Sequence, residues 1–160
     1  MSAQAPSERF VILAGKPGTN ILPDLYEKGG NPQWHYLFAE TAWAQYQHYS
    51  PLVFSVEPDT PLWQWAMDRL SKDAIEESQG VILESDRAFE DVLDWARSRL
   101  VLTTQSQNRL LRYWDPRVWE SLEPEDRGDG TVIQQASYWT PGPDRRHMFS
   151  RNPDTGYRIS

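Results

Sequence analysis

Apolar and polar positions along the chain alternate with two different periods, and the switches between them mark out most of its elements. Phe10-Val11-Ile12-Leu13-Ala14 is an unbroken apolar run between Arg9 and Gly15, which predicts a strand buried on both faces. Ile21 to Lys28 places Ile21, Leu22, Leu25 and Tyr26 on one side of a short helix that Gly29-Gly30-Asn31-Pro32 stops. Trp34 to Phe38 offers a strand. Thr41 to Tyr49 then repeats bulky aromatics every third residue, Trp43, Tyr46 and Tyr49, which on a helix form one ridge, either core or a surface that grips an apolar peptide.

The same alternation continues. Pro51 to Val56 reads as a strand, and Thr60 followed by Pro61 is a helix start. Along Pro61 to Leu70 the stripe Leu62, Trp63, Ala66, Met67 and Leu70 leaves Trp65 at its edge, a candidate exposed anchor. Val81 to Glu84 predicts a further strand, with Ser85 or Asp86 available to cap the helix Arg87 to Leu100. That helix buries Ala88, Phe89, Val92, Leu93, Ala96 and Leu100 and turns Arg87, Glu90, Asp91, Asp94 and Arg97 outward. Leu100 to Thr104 and Thr131 to Trp139 complete the strands.

Strand and helix in alternation predict an α/β fold: a single layered domain with a mainly parallel central sheet flanked by helices. Its expected boundaries are a flexible N-terminus over residues 1–8, the domain over 9–140, and a polar, loosely structured C-terminal tail over 141–160, with room for a short hairpin at Tyr157 and Ile159.

The most informative stretch is Leu110-Leu111-Arg112-Tyr113-Trp114-Asp115-Pro116-Arg117-Val118, which reads as strand, turn and helix, with Asp115 as cap and Pro116 in the first helical position. Arg112 sits in an otherwise apolar run, Asp115 closes it and Arg117 follows, so a guanidinium and a carboxylate are predicted to meet where the strand ends. Such a pair either pins the turn or binds a partner. The run Arg-Tyr-Trp-Asp-Pro-Arg-Val after Leu-Leu resembles the arginine–aromatic–aromatic–aspartate–proline–arginine signature of the domain of unknown function 4123 family. Trp34 to Thr41, Pro51-Leu52-Val53, Val81-Ile82-Leu83 with Ser85, and Leu93 to Leu100 fall in the order and spacing of that family, so the resemblance spans roughly residues 10–125. Trp95 departs from it, standing where the family pattern carries a histidine.

The resemblance implies a non-catalytic adaptor or chaperone that binds a bacterial type VI secretion effector, stabilises it and helps load it onto the spike protein. Its implied partners are the secreted effector and the spike. The expected contact residues are Arg112, Tyr113, Asp115 and Arg117 at the signature, with Trp34, Trp43, Trp65 and Trp114 as aromatic anchors; Arg112 and Asp115 serve equally well as braces.

Composition narrows the alternatives. Eight Trp and seven Tyr in 160 residues favour an aromatic-rich core or binding surface. No cysteine is present, which removes disulfides, thiolate metal sites and thiol nucleophiles. The net charge is -7, and residues 57–99 hold eleven acids against five basic residues, an unfavourable balance for nucleic acid. That acidic stretch supports an alternative function, an immunity-type inhibitor of a basic toxin. No apolar run of membrane-spanning length or leader pattern is seen, so a cytoplasmic protein with no membrane contact is expected. Gly15 to Thr19 lacks the spacing of a phosphate loop, and no nucleophile elbow or dinucleotide fingerprint occurs. His35, His48 and His147 show no metal-ligand spacing, and the acidic pairs Glu84 with Asp86 and Asp91 with Asp94 read as solvated charge. Neither catalysis nor a cofactor is expected.

Overall fold

The computed structural model describes residues 8–15, 21–30, 32–72, 78–104, 107–115, 118, 132–133, 135–139 and 148–151. Its centre is a six-stranded sheet in the order β2-β3-β1-β4-β7-β8, with β1 at Glu8–Gly15, β2 at Trp34–Tyr36, β3 at Leu52–Val56, β4 at Ser78–Ser85, β7 at Gln135–Trp139 and β8 at Met148–Arg151. Every neighbouring pair is antiparallel. The mainly parallel sheet expected from strand–helix alternation is therefore wrong.

The reason lies in which strands the helices connect. Helix α1 (Leu22–Gly29) joins β1 to β2, and α2 (Pro61–Lys72) joins β3 to β4. The two strands of each unit run in the same direction but are not neighbours: β3 lies between β1 and β2, and β1 lies between β3 and β4. Two βαβ units thus interleave, each filling the other's gap with an antiparallel strand, which is the split, ferredoxin-like βαββαβ arrangement. Periodicity along the chain is the same for an adjacent and a skipped crossover.

Register sorts the side chains onto two faces. Val11, Leu13, Leu52, Phe54 and Ile82 share the face covered by α1 and α2, where they pack with Leu25, Leu62, Ala66 and Leu70. Phe10, Ile12, Val53, Val81, Leu83 and Ala136 share the other, covered by helix α3 (Phe89–Ser98) and by Leu37, Phe38, Tyr113 and Trp114. β1 is buried on both faces, as its apolar run requires. At the centre of the sheet β4 passes so close to β1 that a Cβ on Gly80 would fall on the Ile12 carbonyl oxygen.

Local signals were honoured at several ends. The Thr60 hydroxyl accepts the Trp63 N–H at 3.2 Å and caps α2 with Pro61 behind it. Gly30 ends α1 at φ +68°, a left-handed backbone that suits glycine. Helix α3 starts later than expected: Ala88 is its N-cap, and the Ser85 hydroxyl instead accepts the Arg87 N–H at 3.0 Å and donates to the Val132 carbonyl at 2.5 Å.

Three other expectations change. Thr41 to Tyr49 is not an α-helix; Ala44–Tyr49 is a 3₁₀ segment broken at Tyr46, whose φ and ψ of -103° and 28° are non-helical, and it buries no residue. Aromatics are mediocre helix formers, and a segment without a buried stripe has no packing to compensate. The strand expected through Trp114 ends at Leu110, because β6 (Gln107–Leu110) pairs only with β5 (Val101–Thr104), in a separate two-stranded sheet. Within the region read as a loose tail, β8 pairs with β7; Tyr157 and Ile159 lie outside the described residues.

Candidate partner-binding site

The signature residues enter the structure as a tight turn laid against the sheet. The Asp115 N–H donates to the Arg112 carbonyl at 3.0 Å, so residues 112–115 close on themselves. Tyr113 and Trp114, between these two, point into the core and are 1% and 2% exposed. The Tyr113 hydroxyl donates to the Ala96 carbonyl at 2.8 Å, tying the turn to α3. Its ring meets Trp95 edge-on at 6.1 Å between centroids, and Trp114 lies 6.0 Å from Phe38. Burial pushes the Tyr113 hydroxyl far above the usual tyrosine range, against a smaller opposite pull from the Arg99 guanidinium.

Between Arg112 and Asp115 the described residues place a bridge. Gln79, on β4, donates from Nε2 to Asp115 Oδ2 at 3.2 Å and accepts from Arg112 Nη2 at 3.4 Å. Asp115 is buried, whereas Arg112 is exposed and leaves most of its guanidinium for solvent or a ligand. Arg117 and Pro116 lie outside the described residues.

The four tryptophans singled out as anchors are distributed unequally. Trp114 is core. Trp43 packs half-buried against the aromatic face. Trp65 is half-buried beside Phe54, with the Arg69 guanidinium 5.5 Å from its ring centroid. Trp34, on edge strand β2, is half-buried and donates from Nε1 to the Tyr26 hydroxyl at 2.8 Å, with Tyr36 edge-on at 5.0 Å.

Among the described residues the exposed large hydrophobics are tyrosines, Tyr26 at 43%, Tyr46 at 43% and Tyr49 at 61%. Two of them stand on the 3₁₀ segment, where His48 and Tyr49 lie 4.0 Å apart and Trp43 backs Tyr46 at 6.3 Å. The one-sided ridge expected of a helix is not formed; instead half-buried Trp43 is the root of the segment, and exposed Tyr46 and Tyr49 are its crest.

Arg97, expected on the solvent-facing side of its helix, is a clamp. It reaches the Tyr36 carbonyl at 3.0 Å, the Leu37 carbonyl at 3.4 Å and Glu40 at 3.1 Å, fastening the turn that supports Phe38 to α3. Its partners are about sixty positions upstream, and no local spacing announces them.

The family model described as Domain of unknown function (DUF4123) matches residues 10–127. The chain belongs to this family. In this DUF4123 domain the match takes in β1 through the signature turn, while β7 and β8 extend the sheet beyond it. Neither a curated protein nor a solved structure matches the chain. Among the described residues no group of three His, Asp or Glu is placed to hold a metal ion, and no helix is long and apolar enough to cross a membrane.

Proposed function

We propose that this DUF4123 protein is a non-catalytic adaptor or chaperone that binds a type VI secretion effector, stabilises it and helps deliver it to the spike protein. The observation that carries this reading is the exposed tyrosine crest Tyr46–Tyr49 on a segment that buries nothing of its own. Tyrosine offers large contact area and a polar tip at little conformational cost, which suits a surface that must be wet when free and dry when bound. The signature turn acts from beneath: by fixing Trp114 against Phe38, it holds the turn from which the 3₁₀ segment departs.

The test is purification of the tagged protein from its native host, beside a Tyr46→Ser/Tyr49→Ser variant of equal melting temperature. The expected result is recovery of a secretion effector by the parent chain alone, with that effector turning insoluble when the adaptor is deleted. An effector retained equally by both proteins, or one whose solubility ignores the adaptor, overturns the reading.

A second reading, an acidic inhibitor of a basic toxin, is favoured by Glu90, Asp91 and Asp94, which are exposed on α3 without an ion-pair partner among the described residues. It takes over if the recovered chain is a basic toxin that the complex silences.

A further inference from the structure

At the β2 end of the sheet the register shows which backbone groups are left over. Gln33 and Leu37 are tied to β3: the Ser55 N–H donates to the Gln33 carbonyl at 3.2 Å, and the Leu37 N–H to the Pro51 carbonyl at 3.0 Å. Antiparallel pairs alternate, so His35, opposite Val53, also turns its backbone to β3, while Trp34 and Tyr36 turn theirs outward. β2 is the last strand on that side. The Tyr36 carbonyl bears this out, because it accepts from Arg97 Nη2 of α3 at 3.0 Å. The Trp34 N–H and carbonyl and the Tyr36 N–H have no partner among the described residues.

Edge strands in monomers are usually blunted by brevity, charge, proline or a bulge. Trp34–Tyr36 is short, but it holds no Lys, Arg, Asp, Glu or Pro and pairs with β3 in unbroken register. Its side chains are aromatic instead. Trp34 stands between Tyr36, edge-on at 5.0 Å, and Tyr26, edge-on at 6.1 Å and 43% exposed.

The ends of this edge decide what can pair with it. Arg97 has taken the acceptor at Tyr36, and Pro32, which the same alternation puts in the outward set, has no N–H. An unrelated antiparallel strand would bring an N–H to the occupied Tyr36 carbonyl and a carbonyl to the missing donor at Pro32. A second copy turned about a two-fold axis at Trp34 brings Pro32 opposite Tyr36 and avoids both mismatches. The proline has no N–H to strand, and the carbonyl it faces is already satisfied by arginine.

We infer that the chain forms a two-fold dimer, independently of what else it binds. The β2 edges of two copies pair antiparallel about Trp34, whose N–H and carbonyl exchange two hydrogen bonds with those of the other Trp34. The aromatic trio of each copy then meets that of the other along the same face.

The experiment is analytical ultracentrifugation of the full-length protein from about 5 to about 500 µM, the range in which so small an interface is expected to associate. The expected result is a mass that rises from one chain to two. Trp34→Pro deletes the pairing N–H at an edge position that tolerates proline, and it spares the bonds to β3, which come from Gln33, His35 and Leu37. It is expected to raise the association midpoint at least about tenfold. Should that variant not fold, hydrogen exchange of the parent chain decides. The Trp34 amide should slow several-fold at the higher concentration, while the Leu37 amide, bonded to Pro51, exchanges equally at both. A chain monomeric throughout, a folded variant that dimerises like the parent, or a Trp34 amide indifferent to concentration overturns the inference. So does a monomer whose Trp34 amide slows only on addition of an effector, which would give the edge to a partner's strand.

Discussion

The two faces of the central sheet are built from the same strands and are held in different ways. The face under α1 and α2 is largely aliphatic, with Val11, Leu13, Leu25, Leu52, Leu62, Leu70 and Ile82 sealed by helices that each follow the strand they cover. The face under α3 is aromatic and assembled from distant parts of the chain, Phe10, Phe38, Trp95, Tyr113, Trp114 and Tyr138 among them. It also holds three indole N–H groups without acceptors, those of Trp43, Trp95 and Trp114. One face is finished by its own local units. The other is closed by the signature turn, and its aromatic packing leaves these buried indole donors without acceptors among the described residues.

The comparison breaks most severely at Trp114. Truncation of a buried tryptophan costs about 3–5 kcal/mol, so Trp114→Ala is expected to lower the urea midpoint sharply and to release Phe38 and the 3₁₀ segment with it. Equal protection of both faces in hydrogen exchange of that variant would show that they do not come apart.

The shared strands give the next effect. Gly80→Ala places a methyl against the Ile12 carbonyl and the Leu70 side chain at 2.9 Å. Overpacking of this kind costs about 1–3 kcal/mol, and because β1 lies between the faces the loss should appear in both at once. A variant as stable as the parent would mean that β4 can move away from β1.

Tyr113→Phe is gentler, about 1 kcal/mol for the lost bond to Ala96, and it carries a pH signature. The folded hydroxyl keeps its proton at pH values where the unfolded one, with a usual pKa of 10.0, loses it. The stabilisation is therefore complete below about pH 10 and declines above it by about 1.4 kcal/mol per pH unit. Alkaline denaturation curves of parent and Tyr113→Phe should converge as pH rises; parallel curves would deny the burial.

The smallest effect on stability belongs to the crest. Tyr46→Ser and Tyr49→Ser should each change the melting free energy by less than about 0.5 kcal/mol, as exposed positions do, and should act on partner recovery instead. A large loss of stability would place these rings inside the structure and deprive the aromatic face of its surface outlet.

Much of this architecture was legible along the chain. The run Phe10–Ala14, the Thr60-Pro61 start and most of the apolar stripe of α3 each rest on neighbours within a turn or two, and each marks an observed element or its start. Strand order was not legible, because a helix connecting adjacent parallel strands and one that skips a strand bury the same stripe. The interleaving depends on Val11 meeting Phe54 and Ile82, pairs some 40 and 70 positions apart. The signature was visible as a charged interruption of an apolar run. Its partner Gln79 was not, since a polar residue in a strand carries no mark of what it faces. The orphaned indole donors were equally silent: a sequence shows a donor but never the lack of an acceptor.

The Gln79 bridge has one more implication. An amide is directional, giving from nitrogen and taking at oxygen, so the link from Arg112 through Gln79 to Asp115 works as a polarised connector rather than a symmetric clasp. Glutamate at that position keeps the arginine and confronts the aspartate; leucine of similar size serves neither. The turn at 112–115 is thus four residues long in the chain and five in space, its last letter written on another strand.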